Sequence, residues 1–291
     1  MKTIYLGLSA LVLFITAQVI QAEIQQGLLW KIKPDGVAPS YLFATIHSED
    51  PRVIQLPPLV QKHFQQADSV AFEILLDLPT LEQSANAMLL TRGQSLDQLL
   101  DKAVYEQIID AVKPYQLDKT TINQFKPWAV LLILNMPPPK TGDFLDMLLY
   151  KQAMSLGIPP YGLEEVDTHL AVFERLSIEE QVILLNNFLR HLPHLPQIFA
   201  QLHELYLHGN LTTLMTVSRQ LMQAQLPQHQ TFIDNFYHQI IDERNLKMLK
   251  PIEERLHSGN AFIAVGALHL PGEQGLLKLL QARGYHVSPV Y

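Results

Sequence analysis

The stretch Ala261 to Gly275, AFIAVGALHLPGEQG, holds the residues best suited to chemistry. Phe262, Ile263, Ala264 and Val265 form an apolar run too short for an independent helix and suited to a buried strand. The run stops at Gly266-Ala267-Leu268-His269, which puts an imidazole where a buried strand ends. Open α/β sheets present their reactive groups there, outside the carboxyl ends of the strands. Tyr41 to Ile46 ends in the same way at His47, Ser69 to Phe72 ends at Glu73, and the shorter Pro160 to Leu163 ends at Glu164. Imidazoles and carboxylates gathered at neighbouring strand ends would supply ligands for a divalent metal, or a base and its orienting partner. Glu73 is the sharpest case, because it stands between Phe72 and Ile74-Leu75-Leu76. A carboxylate buried there must find a cation, a proton or a donor.

Other polar features compete with this set. His203-Glu204-Leu205-Tyr206-Leu207-His208 looks like a zinc-protease helix motif with one residue too many. Five residues apart, its two His would lie roughly 140° apart around a helix and could not share a metal. His191 and His194 flank Pro193 and read as helix-end residues, and Glu165 with His169 reads as a surface pair one helical turn apart. Arg244-Asn245 falls inside a helical segment, where a solvated Arg beside Glu243 is the plain alternative to a functional role.

The elements that must position these groups come from both ends of the chain. Leu28 to Ile32 and Tyr41 to Ile46 read as strands joined at Pro34-Asp35-Gly36, with a helix from Pro57 to Gln66 before the strand that ends at Glu73. From about residue 79 to residue 259 the pattern is mostly helical. Segments fit Leu96 to Val112, Pro127 to Met136, Phe144 to Leu156 with Gly157 as stop, Ser177 to Leu189 with a Ser177/Glu180 capping box, and Phe232 to Leu256. Pro271-Gly272-Glu273 reads as the start of a last helix that stops at Gly284. The expected fold is α/β: a mixed sheet from the N- and C-terminal segments plus the short central strand, with a large helical middle region.

Met1 to Ala22 reads as a Sec-type signal peptide, with Lys2 as its positive region and Ile4 to Ile20 as its apolar region. A retained membrane anchor is the competing reading, the run being close to the ~17-residue lower limit for a span. Export to a periplasm or secretion is therefore expected, with residues 23–291 as one mature domain that has no further membrane span. The chain has no Cys, which excludes disulfides, thiolate metal sites, a lipoprotein anchor and a Cys nucleophile. A formal charge of −7, without a basic cluster, argues against a nucleic-acid partner.

At these residues the sequence resembles the TraB/GumN family, which includes the TIKI metalloproteases. The resemblance rests on Ala44-Thr45-Ile46-His47, on Ala71-Phe72-Glu73 and on Gly162-Leu163-Glu164 after a helix start at Gly142 to Asp146. Arg244-Asn245 and the closing Val265 to Gly275 complete it. Ala44 stands where the family pattern has Gly. The resemblance implies a metal-dependent hydrolase or peptidase, with manganese or cobalt-like divalent ions favoured, on an architecture shared with erythromycin-esterase-like and haem-binding ChaN-like proteins. On this reading His47, Glu73 and His269 bind the metal (Mn, Co or Zn), and Glu164 is a further ligand or the general base. Arg244, with Asn245, anchors a peptide or small-molecule substrate. The alternatives are a metal-free esterase and a non-catalytic periplasmic protein that binds haem, metal or a small ligand in the same pocket.

Overall fold

The computed structural model describes residues 26–225 and 227–291, so the apolar segment 1–22 lies outside the described residues. Six strands form one mixed sheet: β1 (Leu29–Lys33), β2 (Ser40–Thr45), β3 (Ser69–Phe72), β4 (Pro160–Gly162), β5 (Ala261–Gly266) and β6 (His286–Pro289). Their spatial order is β4-β3-β5-β2-β1-β6. β4, β3, β5 and β2 run parallel, so Glu164, Glu73, His269 and His47 all follow the same end of the sheet. β1 is antiparallel to both β2 and β6.

β5 is central, and its residues Ala261 to Val265 are all buried. A strand covered on both faces is free to be apolar throughout, which is why its sequence does not alternate. Side chains from β2, β3 and β5 form the main core with the helices Leu145–Leu156, Glu243–Ser258 and Leu276–Ala282. A second apolar cluster, centred on Leu96, Ile108, Ile122, Leu185 and Phe188, holds the helical middle region together. Among the described residues no helix is long and apolar enough to cross a membrane.

The expected elements differ from the structure at a few points. The segment Leu96 to Val112 is two helices, Leu96–Leu99 and Lys102–Ala111, because Leu100 is extended and Asp101 caps the second. The last helix begins at Leu276 rather than at Pro271 to Glu273, with Gly275 as its N-cap. Strand β6 was not expected; it pairs with β1 at the edge of the sheet and none of its four residues is fully buried, so its pattern does not stand out. Gly157 ends its helix in the left-handed conformation (φ 70°), as expected of a glycine stop. The Ser177/Glu180 capping box is formed. The long C-terminal helical segment is interrupted by a π turn at His238–Asp242, one turn before Arg244. Such turns recur next to functional residues because they offset the helix register.

Candidate functional site: a carboxylate and imidazole cluster at the sheet end

Glu73, one residue past β3, is the hub. Its Oε1 accepts the Gly266 backbone N–H at 2.6 Å and its Oε2 accepts from Arg244 Nη2. A Cβ on Gly266 would lie 3.0 Å from Glu73 Oε1, so the absence of a side chain is what lets the carboxylate reach that amide. Burial raises the Glu73 carboxyl, but His269, Arg244, His169 and the Gly266 amide outweigh it and hold the group well below the usual carboxylate range. Arg244 Nε donates to Glu164 Oε2 at 3.0 Å, and Nη1 donates to the Ile240 carbonyl in the π turn at 3.3 Å. The Glu164 N–H donates to the Glu73 carbonyl at 2.8 Å, which locks the two strand-end carboxylates side by side. The guanidinium thus bridges Glu73 and Glu164, the two acidic ends of β3 and β4.

His169 joins this cluster. Arg244 Nη2 stands 2.9 Å and Glu164 Oε2 3.2 Å from His169 Nδ1. Nδ1 thus faces both a guanidinium, which can only donate, and a carboxylate, which can only accept. The surface pair with Glu165 is therefore not what the helix uses: the ring turns inward to Glu164, toward the buried guanidinium.

His269 follows β5 and is 4% exposed. Its Nδ1 lies 2.7 Å from Asn245 Oδ1, while Asn245 Nδ2 donates to the carbonyls of His269 (3.2 Å) and Gln274 (2.8 Å). Two carbonyl acceptors fix which end of the amide is nitrogen, so Oδ1 must accept from His269 Nδ1–H. The lone pair of Nε2 is left facing Glu73 Oε1 at 3.7 Å. Burial pushes the His269 imidazole down to about 4, with the Glu73 carboxylate opposing and Arg244 reinforcing the shift, so it is neutral at pH 7. Asn245, expected to contact substrate, is instead fully buried behind His269 and orients its ring.

His47 stands apart from Glu73. It stacks on Phe144 (4.8 Å between centroids, 14° between planes) and its Nε2 is 3.7 Å from Asp146 Oδ2. Asp146, at the start of the helix Leu145–Leu156, is 9% exposed and accepts from the Thr45 hydroxyl at 2.7 Å through Oδ1. Its Oδ2 is buried without a hydrogen-bond partner. Burial raises the Asp146 carboxyl above its ordinary value; His47 and Thr45 oppose this and Glu73 adds to it. Ala44, in the position where the family pattern has Gly, is buried in the sheet, and its carbonyl accepts from Tyr206 at 2.9 Å. Thr45, His47, Glu73, Asp146, His169 and Arg244 all line one cavity of about 590 Å³, whereas Glu164, His269 and Asn245 lie behind its wall.

A family model described as the TraB/PrgY/gumN family matches residues 28–289. The chain belongs to the TraB/PrgY/gumN family. Curated proteins similar to this TraB/PrgY/gumN member include "Metalloprotease TIKI2" of Danio rerio, 26% identical over 89% of this chain and 60% of the relative. "Metalloprotease TIKI1" of Homo sapiens is 25% identical over 92% of this chain and 62% of the relative. The chain thus spans less than two thirds of the length of these relatives. No solved structure matches it.

Among the described residues of this TraB/PrgY/gumN protein, no three His, Cys, Asp or Glu side chains converge as a ready metal cage. The donors stand instead as two pairs, His269 with Glu73 and His47 with Asp146, each 3.7 Å apart. That spacing suits two donors each ~2.1 Å from one ion. Two carboxylates (Glu73 and Glu164) share the single guanidinium of Arg244, and a third, Asp146, has a buried oxygen without a partner. The donor set therefore fits a divalent cation in charge and in chemistry. Sequence reasoning missed Asp146 and His169 as members of the site. Asp146 carried a signal, since it closes the Gly142 to Asp146 helix start, but its spacing from any His gives no hint of a contact.

Proposed function

We propose that this protein is an exported hydrolase that depends on a divalent metal and cleaves peptide bonds. The observation that carries the reading is Asp146 Oδ2, a buried carboxylate oxygen with no partner, opposite His47 and in the same cavity wall as Glu73. Relatives that bear the name metalloprotease support the reaction class, and the apolar segment Ile4 to Ile20 supports export. His47, Asp146, Glu73 and His269 would hold the ion. Manganese, cobalt or zinc bound there would supply Lewis acidity to a water and to a substrate carbonyl.

The remaining residues have separable tasks. Asn245 keeps the proton of His269 on Nδ1, so that Nε2 presents a lone pair. Arg244 keeps Glu73 ionised and ties it to Glu164, which makes the guanidinium a clamp on carboxylates before it is an anchor for substrate. Its position in the cavity wall leaves it within the field of a developing oxyanion. Glu164, 1% exposed in its side chain and held by Arg244, secures that clamp. His169 offers Nε2 as the ring atom available to a substrate in the cavity.

The test is elemental analysis of the purified protein after loading with manganese, cobalt and zinc at neutral pH, beside His47→Ala and Asp146→Ala, followed by digestion of a peptide library. Near-stoichiometric metal in the wild type, its loss in both variants and metal-dependent cleavage are expected. A wild type that takes up none of the three metals overturns the proposal. Stoichiometric metal without hydrolysis of any peptide favours a binding protein built on the same pocket.

A further inference from the structure

The charged groups of the cavity are confined to one part of its lining. All three charged groups that line it, Glu73, Asp146 and Arg244, stand at the sheet end and are engaged with one another or with the neighbouring imidazoles. The helical middle region supplies another part of the lining, where Leu132, Phe173, Phe199 and Ile240 face the space from four separate helical segments. The polar side chains on that side, such as Ser84 and Ser218, are uncharged, and burial pushes His203 down from its ordinary value. Two apolar side chains at the cavity, Leu81 and Met136, are left 38% and 43% exposed. A volume of about 590 Å³ corresponds to roughly 20 waters at ~30 Å³ each, more than one side chain fills.

Resting on the hydrolase reading above, we propose that the helical wall is the specificity element of this site, and that it selects peptides carrying bulky apolar side chains beside the bond to be cut. The chemistry comes from the strand ends and the selection from the helical middle region. A bound Leu, Met or Phe side chain would cover Leu81 and Met136 and displace water that the wall cannot hydrogen-bond. A charged side chain in the same place would be buried without a partner.

Two measurements test this separately from the hydrolase reading. Cleavage sites in a library of blocked synthetic peptides, incubated with metal-loaded protein, are mapped by mass spectrometry. Calorimetry then measures binding of a blocked tripeptide of leucine and phenylalanine, and of its aspartate and lysine counterparts, to wild type, Met136→Lys and Leu81→Asp. Both substitutions fall on exposed positions, outside the donor cluster. The expected result is a preference of about tenfold or more for apolar side chains, reduced in both variants, with Met136→Lys gaining acceptance of acidic side chains. Cleavage without side-chain preference, or an unchanged profile in both variants, overturns the inference and leaves the hydrolase standing. Selective binding of the apolar tripeptide without cleavage overturns the hydrolase reading and supports the selective wall.

Discussion

Replacing Asp146 by Asn should stabilise the protein in the absence of metal and abolish the stabilisation that metal brings. The wild-type carboxylate is 9% exposed, and its Oδ2 has no hydrogen-bond partner. His47 is beyond hydrogen-bond reach at 3.7 Å, and its side chain is 55% exposed, so water screens what it offers. An amide keeps the Oδ1 acceptor used by the Thr45 hydroxyl and removes the buried charge. Leaving a buried polar group unsatisfied costs about 1–3 kcal/mol and more when it is charged. The amide nitrogen in place of Oδ2 is still unpartnered but neutral, so the exchange should raise stability by about 1–3 kcal/mol. At roughly 2–4 °C per kcal/mol for a chain of this size, thermal unfolding of chelator-treated protein should move up by roughly 2–12 °C. Adding manganese or zinc should then raise the wild-type midpoint through linkage and leave the variant in place, reversing their order. A variant that is less stable than wild type without metal would show that Oδ2 is satisfied, and an equal metal-induced rise in both would show that Asp146 is not a donor.

Asn245→Ala leaves His269 Nδ1–H and two carbonyls without partners and should destabilise by about 2–4 kcal/mol in urea unfolding; metal affinity, read by competition with a chelator, should fall about 10–100-fold. Gly266→Ala places a methyl group 3.0 Å from Glu73 Oε1 and should cut hydrolysis sharply while the far-ultraviolet spectrum stays native. Tyr237 has a buried hydroxyl without a partner, and burial, helped by Asp242, pushes it up to about 12. Because the folded group holds its proton longer than the unfolded one, its contribution is present below pH ~10 and is lost as pH rises toward 12. Tyr237→Phe should match or exceed wild-type stability at pH 7 and show a shallower alkaline decline. Glu49 accepts the backbone N–H groups of Lys140, Thr141 and Gly142. Glu49→Ala should therefore speed hydrogen exchange at those three amides, beside the Phe144 that stacks on His47.

How far the sequence could be read depends on which contacts are local to a strand end. The apolar runs before His47, Glu73 and His269 each announce a strand and its end, because a strand covered on both faces needs no polar residue until it leaves the sheet; β4, before Glu164, is instead an exposed edge strand of three residues. Parallel packing then brings those ends together, as the register of Phe72 with Ala264 and of Ala44 with Val265 makes plain. The partners of these groups were not legible. Asp146 meets Thr45 across 101 residues and Arg244 meets Glu73 across 171, and no periodicity encodes such pairings. Asn245 illustrates the limit: an Asn on a helix looks the same in sequence whether it faces solvent, substrate or the back of a histidine. The separation of His47 from Glu73 has the same origin, since side-chain direction past a strand end is set by packing on Phe144 rather than by the strand.

The central place of β5 also governs when the donor cluster can assemble during synthesis. β2 and β3 are joined only through β5, so a chain that has not yet reached Ala261 lacks the strand that links β1 and β2 to β3 and β4. Neither His269 nor the Gly266 amide that steadies Glu73 exists at that stage. Contacts between such distant segments form late and slowly, and unpaired edges are hazards while they wait. The donor cluster can therefore close only once the chain has been made through Gly275.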